Sequence, residues 1–258
     1  MIKFTDLTPA VQAGLISAVV ALVTTILSLL TKSWIEKRIH VNKLETEHKY
    51  EQQKGLKTLV AKNKMQLLNI SEQLNHRLWN FIENYNEHWL DVDGNYRHGN
   101  YFKSFVYRFV AFFAYIRKLE NELIYIDSTF ATKKDLEFIK FLRTFPQIFC
   151  DVKLFNGYEY DKNYPTDHFF RNNFEQMIDS FIKQNEVISY NEYLSNIDSN
   201  LKSLSDICKF FDCISPDEQR FRWDLLQVFH LTLICFLNTF GYDFQYTNKY
   251  GYKNTLGG

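Results

Sequence analysis

Apolar residues fall along this chain in three regimes. From Ala10 to Leu30 runs AVQAGLISAVVALVTTILSLL, 21 residues without a charge. A helix of that length covers about 30 Å, the hydrocarbon thickness of a bilayer. Pro9 suits its first turn and Thr8 its N-cap. From Ser33 to Lys54 the chain is polar, charged and free of Pro, which suits a helical stalk continuing the first segment. From Leu56 the pattern becomes periodic: Val60, Leu67, Ile70, Leu74, Leu78, Phe81 and Tyr85 share one helical face, with Asn63 the polar exception.

The periodic region predicts a series of helices. The first ends near Trp89, before the turn signal Asp93-Gly94-Asn95. A second runs from about Tyr96 to Tyr125 with an aromatic face through Phe102, Phe105, Phe109, Phe112, Phe113, Ile116, Leu119 and Leu123. A third begins at Thr132, where Thr132 and Asp135 have the spacing of a capping box, and runs toward Phe145-Pro146. Asn156-Gly157 and Tyr164-Pro165 bracket a loop. Asp167 caps a helix carrying Phe169, Phe170, Phe174, Met177, Ile178 and Phe181, and another spans Asn191 to Phe211. Ser215-Pro216-Asp217-Glu218 reads as the start of a last helix that stops at Gly241. Its stretch Leu225–Phe240 is strongly apolar but only 16 residues long, with His230 inside, which fits a core helix. The tail 242–258 reads as loosely ordered, its closing Gly-Gly as a cloning remnant.

This pattern predicts an all-α protein, with a single N-terminal transmembrane helix followed by a cytoplasmic helical bundle. The expected boundaries are 1–31 for the anchor, 32–55 for the stalk, 56–241 for the domain and 242–258 for the tail. Composition agrees: 24 Phe and 16 Tyr against 9 Gly and 4 Pro favour long helices over short strands. Lys+Arg and Asp+Glu balance at 30 each, so the chain lacks the basic signature of a nucleic-acid binder. Cys150, Cys208, Cys213 and Cys235 have no paired metal-ligand spacing and read as free thiols packed as small apolar residues in a reducing compartment.

Charge sets the expected orientation. Nine Lys/Arg lie between Lys32 and Lys64 against four Glu, whereas only Lys3 precedes the span. The positive-inside rule then puts the N-terminus outside and the bulk of the chain in the cytoplasm. Trp34 sits at the expected interface, where Lys32, Lys37 and Arg38 meet anionic head groups. A cleaved signal peptide fits less well, because the apolar run is long and gives way to charge instead of a small-residue cleavage site.

Within the span, Ala10, Gly14, Ser17, Ala21, Thr24, Ser28 and Thr31 recur at spacings of 4, 3, 4, 3, 4 and 3. Small residues allow close backbone approach, so this seam is the expected face for self-association. Several copies would turn the hydroxyls of Ser17, Thr24 and Ser28 toward a narrow polar lumen.

Candidate chemistry is sparse. Glycine loops for nucleotides, H-E-x-x-H, G-x-S-x-G and paired Cys-x-x-Cys are all absent. No cofactor is implied. Arg222 and His230 resemble the Arg/His pair of all-helical HEPN ribonucleases, but seven residues intervene here, which turns the His to a different face. Arg222 reads better as a surface residue and His230 as a buried, hydrogen-bonded one. Arg108, Arg117, Glu120 and Glu122 on the second helix are placed to pair with Arg171, Glu175 or Asp179 on the fourth, holding register or forming an anion site.

The segment from Tyr101-Phe102-Lys103-Ser104 into FVYRFVAFFAYIRKLENELIYID, with FFRNNFEQMIDSFI at Phe169–Ile182, resembles bacterial membrane-anchored helical proteins of unassigned function. The layout also resembles membrane effectors of antiphage defence. These resemblances imply a self-associating inner-membrane protein that disturbs the bilayer on a signal. A scaffold recruiting a soluble cytoplasmic partner, and a tethered HEPN-like ribonuclease, are the other readings.

Overall fold

Helix α1 (Pro9–Glu83) extends over 75 residues because nothing after Pro9 breaks it. No other Pro occurs in that stretch, and its two glycines, Gly14 and Gly55, are isolated losses of propensity. The computed structural model describes residues 8–123, 131–151, 153, 167–218 and 220–241; the expected loop around Asn156-Gly157 and the tail 242–258 lie outside them. The chain forms two compact units, Met1–Lys54 and Gly55–Gly258, and α1 contributes to both.

In the first unit the described apolar side chains of α1 point into solvent. Val20, Leu22, Val23, Ile26, Leu27, Leu29 and Leu30 are 49–63 % exposed. The side chains of Gln12, Leu15, Ile16 and Val19 lie outside the described ones.

The second unit is a helical domain built on an aromatic core. A 3₁₀ turn (Tyr85–Glu87) follows α1, then come α2 (Asn100–Leu123), α3 (Lys133–Cys150) and α4 (Arg171–Asp179). A two-stranded antiparallel hairpin follows, β1 (Ile182–Lys183) and β2 (Glu186–Val187), paired Ile182 to Val187 and Lys183 to Glu186. Three short helices, α5 (Tyr190–Ser195), α6 (Ile197–Ser203) and α7 (Ser205–Phe211), lead to α8 (Arg222–Phe240). Phe229 of α8 sits at the centre, its ring 5.3–5.8 Å from those of Phe109, Phe112, Phe113, Phe145 and Phe149. Leu67, Leu74, Leu78 and Phe81 bury the inner face of α1, with Phe81 edge-on to Phe105.

Among the described residues, α8 is the one helix found long and apolar enough to cross a membrane. More than half of its apolar window (56 %) is buried in the domain, so it serves as a core helix.

Several boundaries differ from expectation for local reasons. Helix α1 stops at Glu83, short of Trp89, where His88 adopts a left-handed conformation, and α2 starts at Asn100 after Gly99 at φ +82°. The Thr132/Asp135 capping box is present, but α3 continues past Pro146 to Cys150 because Ile148 and Phe149 are buried. Asp167 caps nothing; it binds Arg220 Nε at 2.7 Å, and α4 begins at Arg171. The stretch expected as one helix from Asn191 breaks at Asn196 and Leu204, where Asn196 Nδ2 and Asn200 Nδ2 donate back to the carbonyls of Glu192 and Tyr193. Helix α8 starts at Arg222, seven residues after Ser215, whose hydroxyl instead accepts from the Asp217 amide in a turn.

Candidate functional site

Arg222 and His230 are both buried, and they face different neighbours. The Arg222 guanidinium closes the C-terminal end of α7, donating through Nη1 to the carbonyls of Lys209, Phe210 and Asp212 at 3.1, 2.8 and 2.9 Å. Nη2 reaches the Cys213 carbonyl at 3.3 Å, and Glu218 binds Nε at 3.0 Å and also pairs with Nη2. These contacts satisfy the carbonyls that a helix end leaves open. Arg222 is therefore no surface residue: it is 3 % exposed and structurally committed. His230 Nε2 lies 2.9 Å from Asn75 Oδ1, with the ring edge-on to Trp79. Burial pulls its pKa down to about 4, so the imidazole is neutral. Eight residues apart on one helix, the two positions are separated by about 12 Å of rise and roughly 80° of rotation. The arrangement does not bring them to a shared cleft.

The expected charge pairs between α2 and α4 form in part. Arg117 reaches Asp179 at 3.0 Å and Glu175 at 3.5 Å, and Arg171 also meets Glu175 at 3.6 Å. Arg171 and Glu175, with Glu120, Arg143, Pro146 and Gln147, line a cavity of about 270 Å³ between α2, α3 and α4. Burial raises the Glu120 pKa, and Arg117 and Arg143 counter that shift. Three arginines face three carboxylates (Glu120, Glu175, Asp179), so the cluster neutralises itself and holds helix register. Glu122 turns away from α4 and accepts from Asn63 Nδ2 at 2.8 Å, which explains the polar exception on the apolar face of α1.

Arg108 also departs from the expected pairing. It faces α1, where its Nη1 and the Nη2 of Arg77 donate to one oxygen, Ser104 Oγ. The Arg77 contact is 3.1 Å, and Arg108 Nη1 also donates to the Ser104 carbonyl at 3.1 Å. Arg77 lies over the Tyr101 ring at 4.4 Å, and the Tyr101 hydroxyl donates to Asn80 Oδ1 at 3.1 Å. Gln73, His76, Arg77, Asn80 and Arg108 line an open cavity of about 370 Å³. No carboxylate lines it, and neither guanidinium has an ion-pair partner among the described residues. Burial, then the charge on Arg77, lowers the Arg108 pKa. Two like charges brought to one oxygen repel each other. Among the described residues Glu72 comes near, 3.7 Å from His76 Nε2 at the edge of the cavity, and it pairs with neither arginine.

In the first unit the described seam residues (Ala10, Gly14, Ser17, Ala21, Thr24, Ser28 and Thr31) all lie exposed on α1. Thr24 donates to the Val20 carbonyl, Thr25 to Ala21 at 2.7 Å and Thr31 to Leu27 at 2.8 Å. Next to them Trp34 is exposed, Arg38 stacks on its ring at 5.2 Å and Lys32 approaches Glu36 at 4.0 Å; Lys37 is exposed as well.

The cysteines are free, but not uniformly packed as small apolar residues: Cys208 is buried and Cys150 half-buried, whereas Cys213 and Cys235 are exposed. Burial pushes the Cys150 and Cys208 thiols up to about 12. Among the described residues no three His, Cys, Asp or Glu gather where a metal would bind. Comparison of the chain with protein families, characterised proteins and solved structures finds no match.

Proposed function

We propose that the protein is a single-pass, self-associating effector of the bacterial inner membrane, anchored by Ala10–Leu30 with its helical domain in the cytoplasm. The observation that carries this reading is a contrast between two apolar helical runs. The run in α8 buries its apolar side chains in a protein core, whereas the run in α1 leaves seven large ones 49–63 % exposed. Contiguous apolar surface of that extent belongs against lipid or another chain. Thr24 and Thr25 in the run donate to carbonyls of their own helix, which lowers the cost of hydrocarbon surroundings. Trp34, Lys32, Lys37 and Arg38 then supply an interfacial band on the cytoplasmic side.

Self-association uses the seam from Ala10 to Thr31, and a trigger received by the domain would rearrange the gathered spans so that they perturb the membrane, as antiphage effectors of similar layout do. Light scattering of the detergent-solubilised chain, corrected for detergent, should give a discrete assembly of four or more copies. Replacing Gly14, Ser17 and Thr24 together by Leu should abolish assembly and any toxicity or ion leak. Unchanged leak in that variant rules the seam out.

A non-catalytic scaffold is the second reading, supported by Val228 (48 % exposed) and Leu231 (36 % exposed) on the outer face of α8. Capture of one stoichiometric soluble partner, lost in Val228→Asp, selects it. The HEPN-like reading has less support, since the donors of Arg222 already serve α7 and Glu218.

A further inference from the structure

We infer that the cavity lined by Arg77 and Arg108 is a binding site for a phosphoryl group, the feature through which the helical domain takes its ligand. Three observations converge. Two guanidinium groups from different helices meet at one hydroxyl oxygen, Ser104 Oγ, an acceptor that carries no charge to offset theirs. The cavity of about 370 Å³ is open to solvent and has the size of a small ligand. Its remaining lining, Gln73, His76 and Asn80, supplies amide and imidazole groups and no carboxylate.

The charge is also held in place. The Arg77 guanidinium sits over the Tyr101 ring, whose hydroxyl donates to Asn80 on the next turn of α1, and Arg108 is tied to its own helix through the Ser104 carbonyl. Preorganised guanidinium forks suit the bidentate geometry of phosphate oxygens. The contrast with the α2–α4 cluster sharpens the assignment, because there Arg117 and Arg171 each pair with a carboxylate. An incoming dianion would relieve the repulsion between Arg77 and Arg108, coupling ligand binding to stability of the domain. This inference goes beyond the membrane-effector reading and stands without it, since every residue of the site belongs to the unit Gly55–Gly258.

The same phosphoryl chemistry is offered by a soluble phosphate compound and by a phosphatidic acid head group. The test therefore uses the full chain in phosphatidylcholine nanodiscs, titrated with inorganic pyrophosphate in one arm and prepared with added phosphatidic acid in the other. Each arm is read by the thermal midpoint of the helical domain, and the first also by calorimetry. A response in either arm, weakened ten-fold or more by Arg108→Gln and by Arg77→Gln, supports the site and identifies the source. Without ligand both variants should melt at or above the wild-type midpoint, because each removes one of two repelling charges. The site is overturned by no response in both arms, by variants that respond like wild type, or by an equal effect of sodium chloride at matched ionic strength. It is equally overturned by a ligand-free midpoint that falls in both variants, which would make the pair a structural one.

Discussion

Asn75 and His230, 155 residues apart in the chain, meet in the core with Asn75 Oδ1 and His230 Nε2 2.9 Å apart. The contact joins the inner face of α1 to the central helix α8 and gives two buried polar groups a partner. Burial of the His230 ring also makes the domain acid-sensitive. The folded pKa of His230 is near 4, below its ordinary 6.5, so folding favours the neutral ring. The unfolded chain binds the extra proton between those values, and stability therefore rises with pH across that window. The contribution is fully present above about pH 6.5 and is lost as pH falls toward 4, a change of roughly 3 kcal/mol for this shift. In His230→Gln, which keeps an amide for Asn75, urea unfolding should lose this part of the pH dependence. A wild-type-to-variant difference that stays constant from pH 7 to 4 would refute the assignment.

Arg222 is predicted to matter through stability alone. Its removal strands the carbonyls at the end of α7 and leaves Glu218, itself largely buried, without a partner. Breaking a buried pair of this kind costs about 3–5 kcal/mol. Arg222→Ala should lose about that much in urea unfolding, and Arg222→Lys should recover less than half, because a single ammonium cannot address Nε-, Nη1- and Nη2-type acceptors together. A loss below about 1 kcal/mol would show that the α7 carbonyls find water instead.

How legible these features were depends on the range of the interaction behind them. The Thr132/Asp135 capping box, the stop at Gly241 and the turn at Asp93-Gly94 are local, written in residue type and spacing, and each is present. The apolar faces of α1 and α2 follow from period alone. The hairpin between α4 and α5 was missed because its strands are two residues each, too short for alternation to register; only Gln184 and Asn185, both at positive φ, mark the turn. The break at Asn196 was missed because Asn is tolerated within helices, and the decisive bond, Asn200 Nδ2 to the Tyr193 carbonyl, is a choice between two local structures. Burial of Arg222 is not legible in its own helix, because its carbonyl acceptors lie at the C-terminal end of α7 and just beyond it. The Arg77–Arg108 convergence has no local signature: it depends on the register of α2 against α1, which sets Arg108 opposite the face expected to meet α4.

The core should be intolerant of volume loss at Phe229. Its ring contacts five other phenylalanine rings from α2 and α3, and none of its surface reaches solvent. Rings so interlocked cannot collapse into the space left by one of them, so the cavity term adds to the lost transfer energy. Phe229→Ala should cost about 3–5 kcal/mol and Phe229→Leu less than half of that. Both changes are read from the urea midpoint of the domain. Equal effects of the two substitutions would mean that the surrounding rings repack freely.

Two glycines allow a paired prediction. Gly94 and Gly99 both have positive φ, +77° and +82°, a conformation that strains any residue with a Cβ. Gly94 lies in the turn closed by the Asn95 amide on the Val92 carbonyl, its own amide bound by Asp212 Oδ2 at 2.8 Å, and an added Cβ there would meet nothing within 4 Å. At Gly99 the same atom would come within 3.1 Å of Val92 Cγ1 and 3.5 Å of Phe102 Cβ. The Phe102 contact is an ordinary one, but Val92 is packed against the core, so the neighbour that must give cannot withdraw freely. Gly94→Ala should therefore cost only the conformational strain, about 1 kcal/mol, whereas Gly99→Ala should cost roughly twice that or more. Thermal unfolding of the two variants side by side distinguishes strain from crowding. A Gly99→Ala protein no less stable than Gly94→Ala would show that the loop from Val92 to Gly99 moves aside.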